Sequence, residues 1–153
     1  FPTRRSSDLR DKRNPEIARS RVAKLGMLAC IVLLVLSAAA LLLPFIDILS
    51  KGDVPRIIVQ PFIYFGAVDF LLALLLILGM VAVYPFVRLR AALGLGFFGF
   101  LYWVQGQPQV LLAVAAGYAG LYLCTVSLRY LPLGIAVGLG LAGMGGYAYF
   151  MLS

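Results

Sequence analysis

Histidine is missing from all 153 residues. That absence excludes a Ser-His or Cys-His catalytic pair, a histidine-ligated haem and a His-Glu-x-x-His zinc site, since each needs an imidazole near neutral pH. Cysteine is almost missing: Cys30 and Cys124 are the only 2, too few for a disulfide framework or a four-ligand metal centre. Charge is scarce as well, at 12% of residues against about 25% in soluble domains. A water-soluble globule of this length would need far more polar surface.

Apolar side chains fill the gap, at 63% of residues with a mean hydropathy of +1.00. Uncharged runs at 25–46 and 70–87 each reach the roughly 18 residues that mark a membrane span. Five segments are expected to cross: 25–49, 57–84, 88–105, 110–128 and 133–152. They are separated by the Lys51–Arg56 turn, by the Gln105-Gly106-Gln107-Pro108-Gln109 break and by a tight turn at 129–132. The third segment is the weakest. Only 91–104 is free of polar side chains, so Arg88 and Arg90 would have to snorkel to the interface. Four spans plus a re-entrant segment at 88–105 is the alternative. The expected fold is an all-α, polytopic integral membrane helical bundle covering 25–153. It is preceded by a basic interfacial segment at 10–24.

The net charge of +7 is concentrated beside the first span, a pattern that reports orientation before it suggests nucleic acid. With five spans, the six Lys and Arg of 10–24 join Arg88, Arg90 and Arg129 on one side, against Lys51 and Arg56 on the other. The reading is a multi-pass protein of a cell membrane, with the N-terminus cytoplasmic and the C-terminus outside. Arg13, Arg19, Arg21, Lys24, Arg88 and Arg90 are then candidate contacts for anionic lipid head groups on the inner face. Tyr102, Trp103, Tyr147 and Tyr149 would form an outer aromatic belt, and Tyr84 and Tyr130 an inner one. Asp47, Lys51, Asp53 and Arg56 read as a solvated outer rim, with Asp47 and Lys51 at helical pairing distance.

Residues 1–9, FPTRRSSDL, resemble a translated sequencing adapter: TTC CCT ACA CGA CGC TCT TCC GAT CTN encodes them in order. They are set aside as an expected artefact, which makes the chain a candidate fragment.

Asp69 is the one acid well inside a span. A carboxylate near the bilayer centre is expensive and should face protein or a water-filled site. Tyr118, Tyr122 and Ser37 fall at comparable depth and are the expected hydroxyl partners. Two roles follow for this cluster: a site for protons or cations, or a polar tie between helices. A pairing with Asp47 as an acid protease dyad is excluded by depth and by the lack of a Gly-x-Gly-Asp sequence. GLGFFG from Gly94 and GLGLAG from Gly138 match the glycine spacing of dinucleotide sites. Both lie inside spans rather than between a strand and a helix, so no cofactor is expected. Glycine in lipid serves close helix approach instead. Gly134, Gly138, Ala142 and Gly146 form a four-residue repeat, read as the packing stripe of the last helix.

These readings favour a non-catalytic membrane subunit or scaffold, assembled through glycine-rich helices as a homo-oligomer or with a membrane partner. The alternatives are a transporter or channel element coupled through Asp69 and, less favoured, a lipid-modifying enzyme at the basic face.

Overall fold

The structure is a computed structural model that describes residues 15–153, with side chains described from residue 19 onward. The adapter-like segment and Arg13 lie outside the described residues. The chain runs through α1 (Pro15–Leu42), a 3-10 turn (Leu43–Phe45), α2 (Ile46–Lys51), α3 (Val54–Val59) and α4 (Pro61–Ile77). A second 3-10 turn (Val81–Val83) leads into α5 (Tyr84–Val104), followed by α6 (Pro108–Val126) and α7 (Tyr130–Leu152). No strand occurs among the described residues.

Proline writes most of these helix starts. Pro55, Pro61, Pro85 and Pro108 each occupy one of the first two helical positions, where the missing N–H has no intrahelical acceptor to lose. Glycine writes the ends of α4 and α5. Gly79 and Gly106 adopt φ of 80° and 65°, a left-handed conformation that L side chains resist. Their N–H groups close the turns on Leu76 and Trp103 carbonyls at 2.9 and 3.1 Å.

Four helical stretches, Arg19–Lys51, Val81–Val104, Pro108–Val126 and Tyr130–Leu152, are long and apolar enough to cross a membrane. The fifth, α4, has 17 residues and a length of about 25 Å. That is a few ångströms short of a hydrocarbon core of about 30 Å, a mismatch that local thinning can absorb. The short element is therefore not where the sequence put it. The expected span 57–84 is interrupted by extended backbone at Gln60 and by the turn at 78–80. Residues 84–87 join the next helix instead, giving α5 a full 21 residues. The fold is an all-helical, multi-pass bundle.

Helix α1 packs on α4, α6 and α7, while α6 lies between α5 and α7. The closest approach is between α6 and α7. A Cβ on Gly120 would strike the backbone of Gly140, and one on Gly143 would strike the backbone of Gly117. The packing stripe of α7 thus runs through Ala136, Gly140, Gly143 and Tyr147, all buried. The expected stripe is a different face. Gly134, Gly138 and Ala142 are exposed, and a Cβ at Gly134 or Gly138 would meet nothing within 4 Å. Gly146 alone grazes a neighbour, Ala113, at 3.6 Å. The choice of face follows the large residues: Leu133, Met144 and Tyr147 need the interior, and they share the side of Gly140 and Gly143.

The aromatic belt is corrected in the same way. Trp103 and Tyr149 are exposed, but Tyr102 and Tyr147 are buried and share a hydrogen bond of 3.2 Å. Paired hydroxyls remove the reason to seek the interface. On the rim, the ion pair that forms is Arg56 with Asp53, at 3.1 Å.

These contacts separate two glycines that look alike in sequence. Gly120→Leu should cost about 3 kcal/mol or more, because the added side chain meets backbone that cannot yield. Gly138→Leu, whose Cβ meets nothing within 4 Å, should change the stability of the single bundle by less than about 0.5 kcal/mol. Denaturation in mild detergent checks both, and equal losses would contradict the α6–α7 seam.

Candidate functional site

Asp69 sits at the middle of α4 and is fully buried. Water is excluded there, so its carboxylate needs a complete set of partners from the protein. Residues of three other helices, α5, α1 and α6, gather around it. Arg90 of α5 lies alongside, with Nη2 donating to Oδ2 at 2.8 Å and Nε 2.8 Å from Oδ1. The Nε contact is too bent for a hydrogen bond and acts as close charge pairing. Ser37 of α1 donates to Oδ2 at 2.6 Å. Tyr118 of α6 accepts from Arg90 Nη2 at 3.1 Å, and its hydroxyl lies 3.4 Å from Ser37 Oγ.

Only one arrangement of protons satisfies all of these contacts. Ser37 has a single O–H, which is given to Asp69, so Tyr118 must donate to Ser37 while accepting from Arg90. The result is a ring running Arg90 to Tyr118 to Ser37 to Asp69, closed by the direct Arg90–Asp69 bond. Each donor in it points toward the carboxylate.

Aromatic rings complete the enclosure. The Arg90 guanidinium carbon lies 4.8 Å from the Phe65 ring centroid and 5.1 Å from that of Tyr118, so the cation is faced by two π surfaces. Phe98 stacks on Tyr118 at 5.9 Å and also touches Phe62 and Phe65. Gly94, one helical turn beyond Arg90, makes the space: a Cβ there would lie 2.5 Å from Arg90 Nη1 and 2.7 Å from the Tyr118 ring. This glycine belongs to the first Gly-x-Gly-x-x-Gly pattern, where its use is to admit a guanidinium. Arg90 Nη1 has no hydrogen-bond partner among the described residues.

The site assembles part of what the sequence suggested. Asp69, Ser37 and Tyr118 converge. Tyr122, expected beside them, is 45% exposed: it lies one turn further along α6 than Tyr118 and about 40° around the helix, which carries it to the outer flank. Arg90, expected at the lipid interface, is only 4% exposed. It is carried inward because α5 begins at Tyr84, which puts Arg90 nearly two turns inside the helix. Arg88 remains exposed, with Nε and Nη2 on the hydroxyl and carbonyl of Thr125 at 3.1 and 2.9 Å. Arg19, Arg21 and Lys24 are exposed on α1. The two cysteines are free and buried.

The fold and this interior define the class: a multi-pass helical membrane bundle with a charged pair at its centre. No protein-family model, curated protein or solved structure matches the chain.

The ring predicts which hydroxyls matter. Ser37→Ala and Tyr118→Phe should each cost about 1–3 kcal/mol, the penalty for depriving a charged hydrogen-bonding group of a buried partner. Tyr122→Phe should be neutral. Gly94→Ala should also destabilise, by displacing Arg90 or Tyr118. Thermal unfolding in one detergent compares all four, and a Tyr122→Phe loss matching that of Tyr118→Phe would contradict the ring.

Proposed function

We propose that the protein is a non-catalytic membrane component, a small subunit or scaffold whose work is to hold a fixed helical shape in the bilayer. The observation that carries this reading is the closure of the Asp69 site. The carboxylate is fully buried, and its direct partners are a fixed cation and the Ser37 hydroxyl, with the Tyr118 hydroxyl bonded to that cation. The neighbouring positions Leu33, Leu34, Leu41, Leu76, Val114 and Leu121 are buried and aliphatic. A group that exchanged protons or ions with either surface would need polar neighbours leading to it. A catalytic group would need a cleft.

The outward placement of Gly138 and Ala142 supports the assembly side of the proposal. A helix of a second copy or of another subunit can come close on a face without bulky side chains. The proposed orientation puts Arg19, Arg21, Lys24, Arg88 and Arg129 on the cytoplasmic side of a cell membrane, where basic residues accumulate. Five crossings then leave the C-terminus outside.

A second reading has one observation of its own. Arg90 Nη1 lacks an acceptor among the described residues beside an acid at mid-membrane, a place where ionisable residues mark ion pathways in pumps and transporters. In this reading the pair opens to pass a proton or cation.

Flux separates the two. Proteoliposomes holding the wild-type chain should be as tight to protons, sodium and potassium as protein-free liposomes under an imposed gradient. Flux that disappears in Asp69→Asn, with that variant still folded, would overturn the structural reading in favour of transport.

A further inference from the structure

Between α1 and α7 the surface carries an apolar groove of about 450 Å³. Leu25, Leu28 and Val32 line one wall and Leu133, Val137 and Leu141 the other, with Gly134 leaving the floor open and Tyr130 at one end. At the Tyr130 end the chain immediately preceding each wall is cationic: Lys24 precedes Leu25 and Arg129 precedes Tyr130, and both are exposed. Neither forms an ion pair with an acid among the described side chains. We infer that this groove is a binding site for one anionic phospholipid, with an acyl chain between α1 and α7 and the phosphate held by Lys24 and Arg129.

The dimensions select a lipid. From Leu25 to Leu33 along α1 is about 12 Å, and from Tyr130 to Leu141 along α7 about 16 Å. Half of a hydrocarbon core of about 30 Å is about 15 Å. The groove is thus one leaflet deep, the reach of a single acyl chain entering from the basic interface. A membrane-crossing helix from a second copy would need matching surface through both leaflets.

The charge selects the head group. Lys24, Arg129 and neighbouring Arg21 bring positive charge to the groove mouth, where each basic residue near the surface strengthens binding of anionic lipid. The phenol of Tyr130 sits at the same level, the depth at which tyrosine meets the glycerol and head-group region. Such a site stands whether the bundle is a scaffold or a transport element, since it uses none of the Asp69 ring.

The test uses the full chain in nanodiscs of equimolar phosphatidylglycerol and phosphatidylcholine, followed by native mass spectrometry of the lipids that stay bound. Wild type should retain phosphatidylglycerol in preference to phosphatidylcholine. The Lys24→Ala/Arg129→Ala variant should lose about thirtyfold of that preference, the factor expected for two juxtamembrane basic residues. Gly134→Phe, at a position where an added Cβ meets nothing within 4 Å, should fold normally and lose the bound lipid. Equal retention of the two lipids by wild type would overturn the inference, as would unchanged retention in Gly134→Phe. A wild-type dimer that Gly134→Phe breaks, with no change in bound lipid, would assign the groove to a second copy and overturn it as well.

Discussion

A carboxylate and a guanidinium at mid-depth in an apolar bundle have no water to turn to. Each alone would cost about 2.5–3.5 kcal/mol to insert on translocon-based scales, and more by other measures. Together they form a neutral unit, so Asp69 and Arg90 are tolerable only in each other's company. Bringing them together fixes the relation of α4 to α5, helices whose backbones barely approach one another. The gap is crossed by the long arginine and by the rings of Phe65, Phe97 and Phe98. Ser37 and Tyr118 then tie α1 and α6 to the same point.

Much of the rest accommodates this pair. Gly94 is needed because Arg90 and Tyr118 occupy the space a side chain would take. The turn after α4 is tight, with Gly79 in a left-handed conformation, and it sets where α5 begins and therefore how deep Arg90 lies. On the far side the seam between α6 and α7 works by shape. Gly117 and Gly120 meet Gly140 and Gly143 with contact close enough for dispersion between backbones, the attraction left to helices when lipid is as apolar as their side chains. One half of the bundle is therefore specified by charge and the other by the absence of side chains.

The helical class, the membrane character and the helices containing Asp69, Ser37 and Tyr118 were legible in the sequence, because hydropathy and depth are properties of a single segment. Arg90 was not. Its placement depends on where α5 begins, and a run of apolar residues ending in Arg88 and Arg90 reads equally as a span with basic flanks. Pro85 was the available signal, since proline favours the first turn of a helix and would have set the start before Arg88. The packing face of α7 was hidden for another reason. Gly134, Gly138, Gly140, Gly143, Gly145 and Gly146 put small residues on several sides, and only the partner helix decides which side is used. Tyr147 held the missing clue, since a buried phenol needs a partner such as Tyr102 and so marks the inward face.

The central claim is that Asp69 and Arg90 act as one unit. A double-mutant cycle with Asp69→Asn, Arg90→Gln and the combined variant, measured as unfolding free energy in the same detergent or bilayer, addresses it directly. The account predicts a loss of about 3–5 kcal/mol for either single change, since each strands a buried charge, and a double variant more stable than either single one. Losses that simply add would show the two residues to be energetically independent and contradict the account.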